Sequence, residues 1–217
     1  MGRDLIVTLM KTVFAAAGIF GMVVMHAIAG DTTEYVGAPG PVAFRAGQVE
    51  VEGGAGFLGS FSTTSAKRVT INYQIEDARL GYMFNDPSGW GWLRGTNEAM
   101  LEVFGGPVTK GPGNYLAGGS LLWRYNFAQP GARVVPYAQL GAGALGNDIY
   151  TGQGQREIGE GFEFVLQGDA GLRYVINDKW AVSGEMDYRH ISNADLASRN
   201  EGLNSIGGLM EVSYFFH

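Results

Sequence analysis

The chain has 217 residues, a formal net charge of −6 and no cysteine. A mildly acidic chain of single-domain length argues against a nucleic-acid surface, and the lack of cysteine excludes a disulfide framework. Glycine is abundant (35 residues), yet disorder is not indicated, because aromatic residues make up 12% of the chain and are spread along it.

The chain opens like a targeting signal. Lys11 precedes an apolar run from Val13 to Val24, and Ala27-Ile28-Ala29 is a small-x-small cleavage pattern. Residues 1–29 are therefore predicted to be a signal peptide, with Met10 an alternative start, leaving 188 residues (217 minus 29) after cleavage. The apolar run is too short for a comfortable membrane helix, and no later stretch approaches the length a spanning helix needs. Residues 30–46 mix small and polar residues without a period and read as a flexible lead or a short plug.

From Gly47 onward the hydrophobic period is two, which predicts strands. The first covers about 47–59. It contains Gly54-Ala55-Gly56-Phe57-Leu58-Gly59, which matches a dinucleotide-binding fingerprint by letter, but no helical pattern follows, so these are strand glycines. The second covers about 68–84, with a phase slip near Glu76-Asp77 that predicts a bulge, followed by a turn at 85–89. The third is about 92–104 and leads through a Gly/Pro loop (105–113) to the fourth, about 114–127. A turn at 128–131 precedes the fifth, about 133–145. The polar loop 146–161 leads to the sixth, about 162–176, and Asn177-Asp178-Lys179 is a tight turn. The seventh and eighth, about 180–192 and 204–216, are separated by the polar loop 193–203.

Eight strands of this length, with tight turns after the second, fourth and sixth and longer connections after the third, fifth and seventh, predict an all-β, eight-stranded antiparallel transmembrane β-barrel over residues 47–217. The apolar alternation of Met210, Val212, Tyr214 and Phe216 finishes on an aromatic, as in bacterial outer-membrane barrels; His217 departs slightly from that ending. Glu98, Glu102, Arg124, Glu163, Asp169, Arg173, Glu185, Asp187 and Arg189 share the face opposite the apolar set. Facing lipid, each would cost a few kcal/mol, so they are assigned to the lumen. A barrel of eight strands has room only for side chains there, which predicts a packed polar interior and no pore. A soluble periplasmic barrel with the faces inverted is the competing architecture.

One stretch stands out chemically. Of three histidines, His26 lies in the signal and His217 at the terminus, so His190 is the single internal candidate for proton transfer near neutral pH. Ser192 is two residues further along the predicted strand, on the same face and roughly 6–7 Å away at Cα; a hydroxyl beside an imidazole is a minimal activated nucleophile. The alternation places Trp180, Val182, Met186, Tyr188, His190 and Ser192 outward, and Asn204 outward at the start of the next strand. Polar groups converging on the lipid side are costly and usually functional, and they point to a substrate reached sideways, a lipid. An interfacial His and Ser without chemistry, in a structural, adhesion or small transport barrel, is the alternative.

His190-Ile191-Ser192-Asn193-Ala194 followed by Asn200-Glu201-Gly202-Leu203-Asn204 resembles the lipid A 3-O-deacylase (PagL) family of outer-membrane acyloxyacyl hydrolases. The resemblance implies hydrolysis of the 3-position acyl ester of lipid A by a Ser-His-acid triad on the barrel exterior, with Ser192 as nucleophile, His190 as general base and Asn193 near the oxyanion. The family's acid is a glutamate at the position held here by Asn204; an amide can orient an imidazole but cannot offset its positive charge, and Glu201 is the alternative orienter. The partners implied are lipid A or lipopolysaccharide and outer-membrane lipids, with a homodimer left open and no nucleic acid. No cofactor is expected, and no metal, since one internal histidine and no clustered carboxylate spacing offer no ready ligand set.

Overall fold

The computed structural model describes residues 44–62, 68–152 and 154–216. The expected signal segment 1–29 and residues 30–43 of the lead lie outside the described residues. Eight antiparallel strands close into a barrel in sequence order: β1 (Val49–Phe61), β2 (Asn72–Met83), β3 (Thr96–Lys110), β4 (Tyr115–Asn126), β5 (Val134–Asn147), β6 (Phe162–Val175), β7 (Trp180–Ser192) and β8 (Leu203–Phe216). Closure joins β1 to β8 through a register running from Val49↔Phe216 to Phe61↔Asn204, so no edge is left open among the described strands.

The side-chain period of two sorts every strand. On β7, Ala181, Ser183, Glu185, Asp187 and Arg189 are buried inside, while Trp180, Gly184 and Met186 are exposed outside. The outer wall is a band of apolar side chains such as Leu101, Leu121, Leu172 and Met210. It is edged by stacked aromatics: Tyr82, Phe84 and Trp123 on one flank and Trp180, Tyr214 and Phe216 on another, the arrangement of a lipid-embedded barrel.

The interior is polar through its middle and closed at both ends by apolar side chains. In the middle, the fully buried Arg79 pairs with Asp77 at 2.8 Å, Glu52 at 3.0 Å, Glu185 at 3.0 Å and Glu102 at 3.1 Å. Arg124 and Arg173 share Glu52, at 2.7 and 2.8 Å, and Arg189 holds Asp187 at 2.9 Å. Leu58, Tyr73, Ile75, Phe104, Ile191 and Leu203 belong to an apolar cluster toward the β7–β8 loop. Phe44, Met83, Val135 and Phe215 belong to another at the end bearing the termini. Phe44, in the expected lead, is fully buried, edge-on to Phe215 at 5.7 Å.

Two expectations are corrected. Alternation in β2 is unbroken from Tyr73 to Met83, and the irregularity lies between Asn72 and Tyr73, not at Glu76-Asp77. The apparent slip arises because apolar residues change sides: Tyr73 and Ile75 enter the interior cluster, whereas Leu80 and Tyr82 face outward. The stretch 105–110, expected as loop, continues β3; glycines there permit close strand approach in a small barrel. The β3–β4 connection is consequently the short one, 111–114, while the β2–β3 connection spans 84–95 and carries a 3-10 turn at Gly91–Leu93. Asp148, just past β5, ties the short connection down by accepting the Asn114 and Tyr115 N–H groups at 2.7 and 3.0 Å, and these donors hold its carboxyl below the usual carboxylate range.

Candidate active site

The outward stripe of β7 ends in Tyr188, His190 and Ser192, and β8 begins beside it. The register pairs His190 directly with Asn204 across the ladder, so their side chains leave the sheet on the same side at adjacent positions. His190 Nδ1 lies 2.9 Å from Asn204 Oδ1, and the Tyr188 hydroxyl donates to the same oxygen at 2.9 Å. With the Asn204 amide in this orientation its carbonyl oxygen accepts, which assigns the ring proton to Nδ1 and leaves Nε2 its lone pair, the tautomer a general base requires. Nε2 is buried without a hydrogen-bond partner, so the Ser192 hydroxyl does not donate to it in this conformation. Catalytic hydrogen bonds are commonly long or open without substrate.

His190 faces outward yet is only 6% exposed, because the loop before β8 folds over it. Gly202 has φ +74°, and a Cβ at that position would stand 2.9 Å from His190 Cε1; a side chain there would collide with the ring. Gly202 is fixed by its own N–H donating to the Glu157 carbonyl at 3.0 Å and by Arg68 Nη1 donating to the Glu201 and Gly202 carbonyls at 3.1 and 2.9 Å.

The structure brings His190 and Asn204 together and separates Glu201 from them. The Glu201 carboxylate pairs with Arg156 at 3.0 Å and Arg68 at 3.8 Å, which makes it a loop anchor; the position on Nδ1 is already filled by Asn204. Asn193 also departs from expectation. Its side chain turns inward, with Nδ2 donating to the Arg199 carbonyl at 3.0 Å and toward Glu163 at 3.4 Å, while its main-chain N–H donates to Asn200 Oδ1 at 3.0 Å. Odd-numbered residues at this end of β7 point into the barrel, so the amide does not share the outer face with His190 and Ser192. The main chain then turns sharply: Leu196 N–H donates to the Asn193 carbonyl at 3.0 Å, and Ala194 and Asp195 take left-handed conformations, φ 54° and 67°. Non-glycine residues are strained there. The Ala194 N–H has no hydrogen bond among the described residues, leaving a donor two residues beyond Ser192.

The surroundings of Ser192 differ on its two sides. Phe164 is its cross-strand partner, 40% exposed and edge-on to Phe162 at 5.3 Å. Beyond Asn204, a cleft of about 160 Å³ is lined by Ser60, Arg68, Thr70 and Glu157 among others. Sequence reasoning missed Tyr188 as part of the site, although its place in the stripe with His190 was visible. It also missed Arg68, which is distant in the chain and has no local signal.

The family model for lipid A 3-O-deacylase (PagL) matches residues 68–213, about two thirds of the chain and all of the site apart from the lining contributed by β1. A search of curated proteins finds no match. Among solved structures, Neisserial surface protein A is 16% identical, with a TM-score of 0.54, covering 77% of this chain and 98% of its own. OprG from Pseudomonas aeruginosa is also 16% identical, with a TM-score of 0.51, covering 81% and 99%. The outer membrane enzyme PagL is 18% identical, with a TM-score of 0.48, covering 73% and 97%. The first two establish the eight-stranded barrel and no more. Together with the family match they place the protein in the bacterial outer membrane, and the chain belongs to the lipid A 3-O-deacylase (PagL) family.

Proposed function

We propose that this protein hydrolyses the 3-position acyl ester of lipid A in the outer leaflet, with Ser192 as nucleophile, His190 as general base and Asn204 as the group that orients the imidazole. The observation that carries this reading is the 2.9 Å pairing of His190 Nδ1 with Asn204 on the lipid-facing wall, in a chain of this family. Ser192 Oγ attacks the ester carbonyl carbon while His190 Nε2 takes its proton. The negative oxygen of the tetrahedral intermediate is met by main-chain N–H groups past Ser192, of which the Ala194 N–H has no hydrogen bond among the described residues. As the C–O bond to the sugar breaks, His190 returns the proton to the leaving alkoxide. Water, deprotonated by His190, then attacks the acyl-serine; the acyl–Oγ bond breaks, His190 returns the proton to Ser192 Oγ, and the fatty acid is released. The aromatic flank at Phe162 and Phe164 suits the acyl chain, and the polar cleft beyond Asn204 suits the head group.

Mass spectrometry of lipid A after incubation with the protein tests this. Wild type should remove one 3-hydroxyacyl group from position 3, and Ser192→Ala should lower release at least about a thousandfold. A barrel without enzymatic activity is the second reading, favoured by the amide at the position where the family carries a carboxylate; absence of release by folded wild type would support it.

A further inference from the structure

A different cluster of charged side chains lies inside the barrel wall, below the site. Asp169 on β6 and Asp187 on β7 are direct cross-strand partners, and both point inward. Like charges in that position repel, and burial makes the repulsion stronger. Each carboxylate has one satisfied oxygen: Asp169 Oδ2 accepts from Gln139 at 2.7 Å and Asp187 Oδ2 from Arg189 at 2.9 Å. The other oxygen of each, Oδ1, is buried without a partner. Asp169 is 6% exposed and Asp187 fully buried. Glu185 joins them, so that one carboxylate oxygen from each of the three lies within 4.8 Å of the others.

The surrounding charge does not cancel this group. Ten buried carboxylates on the described strands face four buried guanidiniums, those of Arg79, Arg124, Arg173 and Arg189. Arg79 already serves five acidic partners. Buried charge of one sign is costly unless neutralised; among the described residues, Asp169, Glu185 and Asp187 are the group whose carboxylate oxygens converge, and two of these carboxylates each keep an oxygen without a donor.

We propose that Asp169, Glu185 and Asp187 bind a divalent cation in the barrel interior, and that Ca²⁺ is the ion that fits. The donors are all carboxylate oxygens, which select hard cations. An ion with metal–oxygen distances of about 2.3–2.6 Å bridges oxygens up to about 4.6–5.2 Å apart and tolerates irregular geometry, whereas Mg²⁺, at about 2.0–2.1 Å, demands a tighter octahedron. One proton shared between Asp169 and Asp187 would remove a single charge from a three-carboxylate cluster; Ca²⁺ removes two and occupies both free oxygens. The sequence hides this site because the three residues meet through the β6–β7 register and not through a spacing along the chain.

The test uses the full chain folded into detergent micelles with Ca²⁺ or with a chelator, then desalted into calcium-free buffer. Calcium is measured by mass spectrometry and unfolding by the heat-dependent shift in gel mobility. About one Ca²⁺ should remain per folded wild-type chain, with a higher unfolding midpoint than in chelator-folded protein. Asp187→Asn and Asp169→Asn should each retain at least tenfold less, and Asp148→Asn, on the exposed loop, should retain as much as wild type. Should one interior variant fail to fold, the other and the wild-type comparison decide. A folded wild type that keeps no calcium and melts at the same temperature under both conditions overturns the proposal and leaves protons as the neutralising charge. Undiminished calcium in the folded interior variants overturns the assignment to these residues.

Discussion

At Asn204 an amide stands where the resemblance described above implies a carboxylate. The amide oxygen takes hydrogen bonds from both His190 and Tyr188, so the ring is held in a productive tautomer without the negative charge that would stabilise its protonated form. In serine proteases with a Ser-His-Asp triad, changing the acid to its amide costs about four orders of magnitude in kcat, part of it through tautomer loss. Here the tautomer is kept, so the deficit should be smaller. Asn204→Glu should raise kcat for lipid A deacylation at least about tenfold with little change in KM, while Glu201→Gln, bound up with Arg156 and Arg68, should alter kcat less than about threefold; a steady-state assay of both decides which residue serves His190. The sequence made His190, Ser192 and Asn204 legible because period-two alternation sets their common face. The same alternation turns Asn193 inward, against the oxyanion role that the resemblance implied, whereas the reach of Arg68 to the same loop was hidden because it depends on closure of the barrel.

Among the elements, the β7–β8 register sets Asn204 opposite His190, and the β1–β8 seam closes the barrel along the strand that carries Asn204. Phe61 pairs with Asn204 at one end of that seam and Val49 with Phe216 at the other. Gly207 lies on the seam three residues past Asn204, where a Cβ would run into the Phe57 carbonyl and lie 2.8 Å from Leu58 Cα. Gly207→Val should therefore prevent closure: on unheated gels the protein should migrate as the unfolded form, and lipid A deacylation should be lost with it. Strand number and alternation were readable from residue type, but the extent of β3 was not. Gly105, Gly106 and Pro107 resemble a loop by composition, and only the neighbouring strands make them part of the wall.

Across the whole molecule, charge and apolar packing exchange the roles they have in a soluble protein. The hydrophobic exterior is at ease in lipid, so cohesion within the barrel rests on the main-chain ladder and on the buried ion network. Removing one member of such a network leaves its partners charged and unpaired, which costs more than the pair was worth. Arg79→Met should lower the free energy of unfolding by about 3–5 kcal/mol, measured by urea titration of the folded gel band in micelles. The sign pattern along each strand foretold a charged filling; the apolar caps at both ends, with Phe44 set into one of them, were concealed because the same residue types also coat the outside.

With His190 and Asn204 on the wall and not in a water-filled cavity, the proposed deacylation is a two-dimensional reaction: lipid A would arrive by lateral diffusion, and its abundance would be counted per unit of surface. With the amounts of protein and lipid A held fixed, added inert detergent should slow turnover in proportion to the falling mole fraction of lipid A in the micelle, even though the bulk concentration never changes.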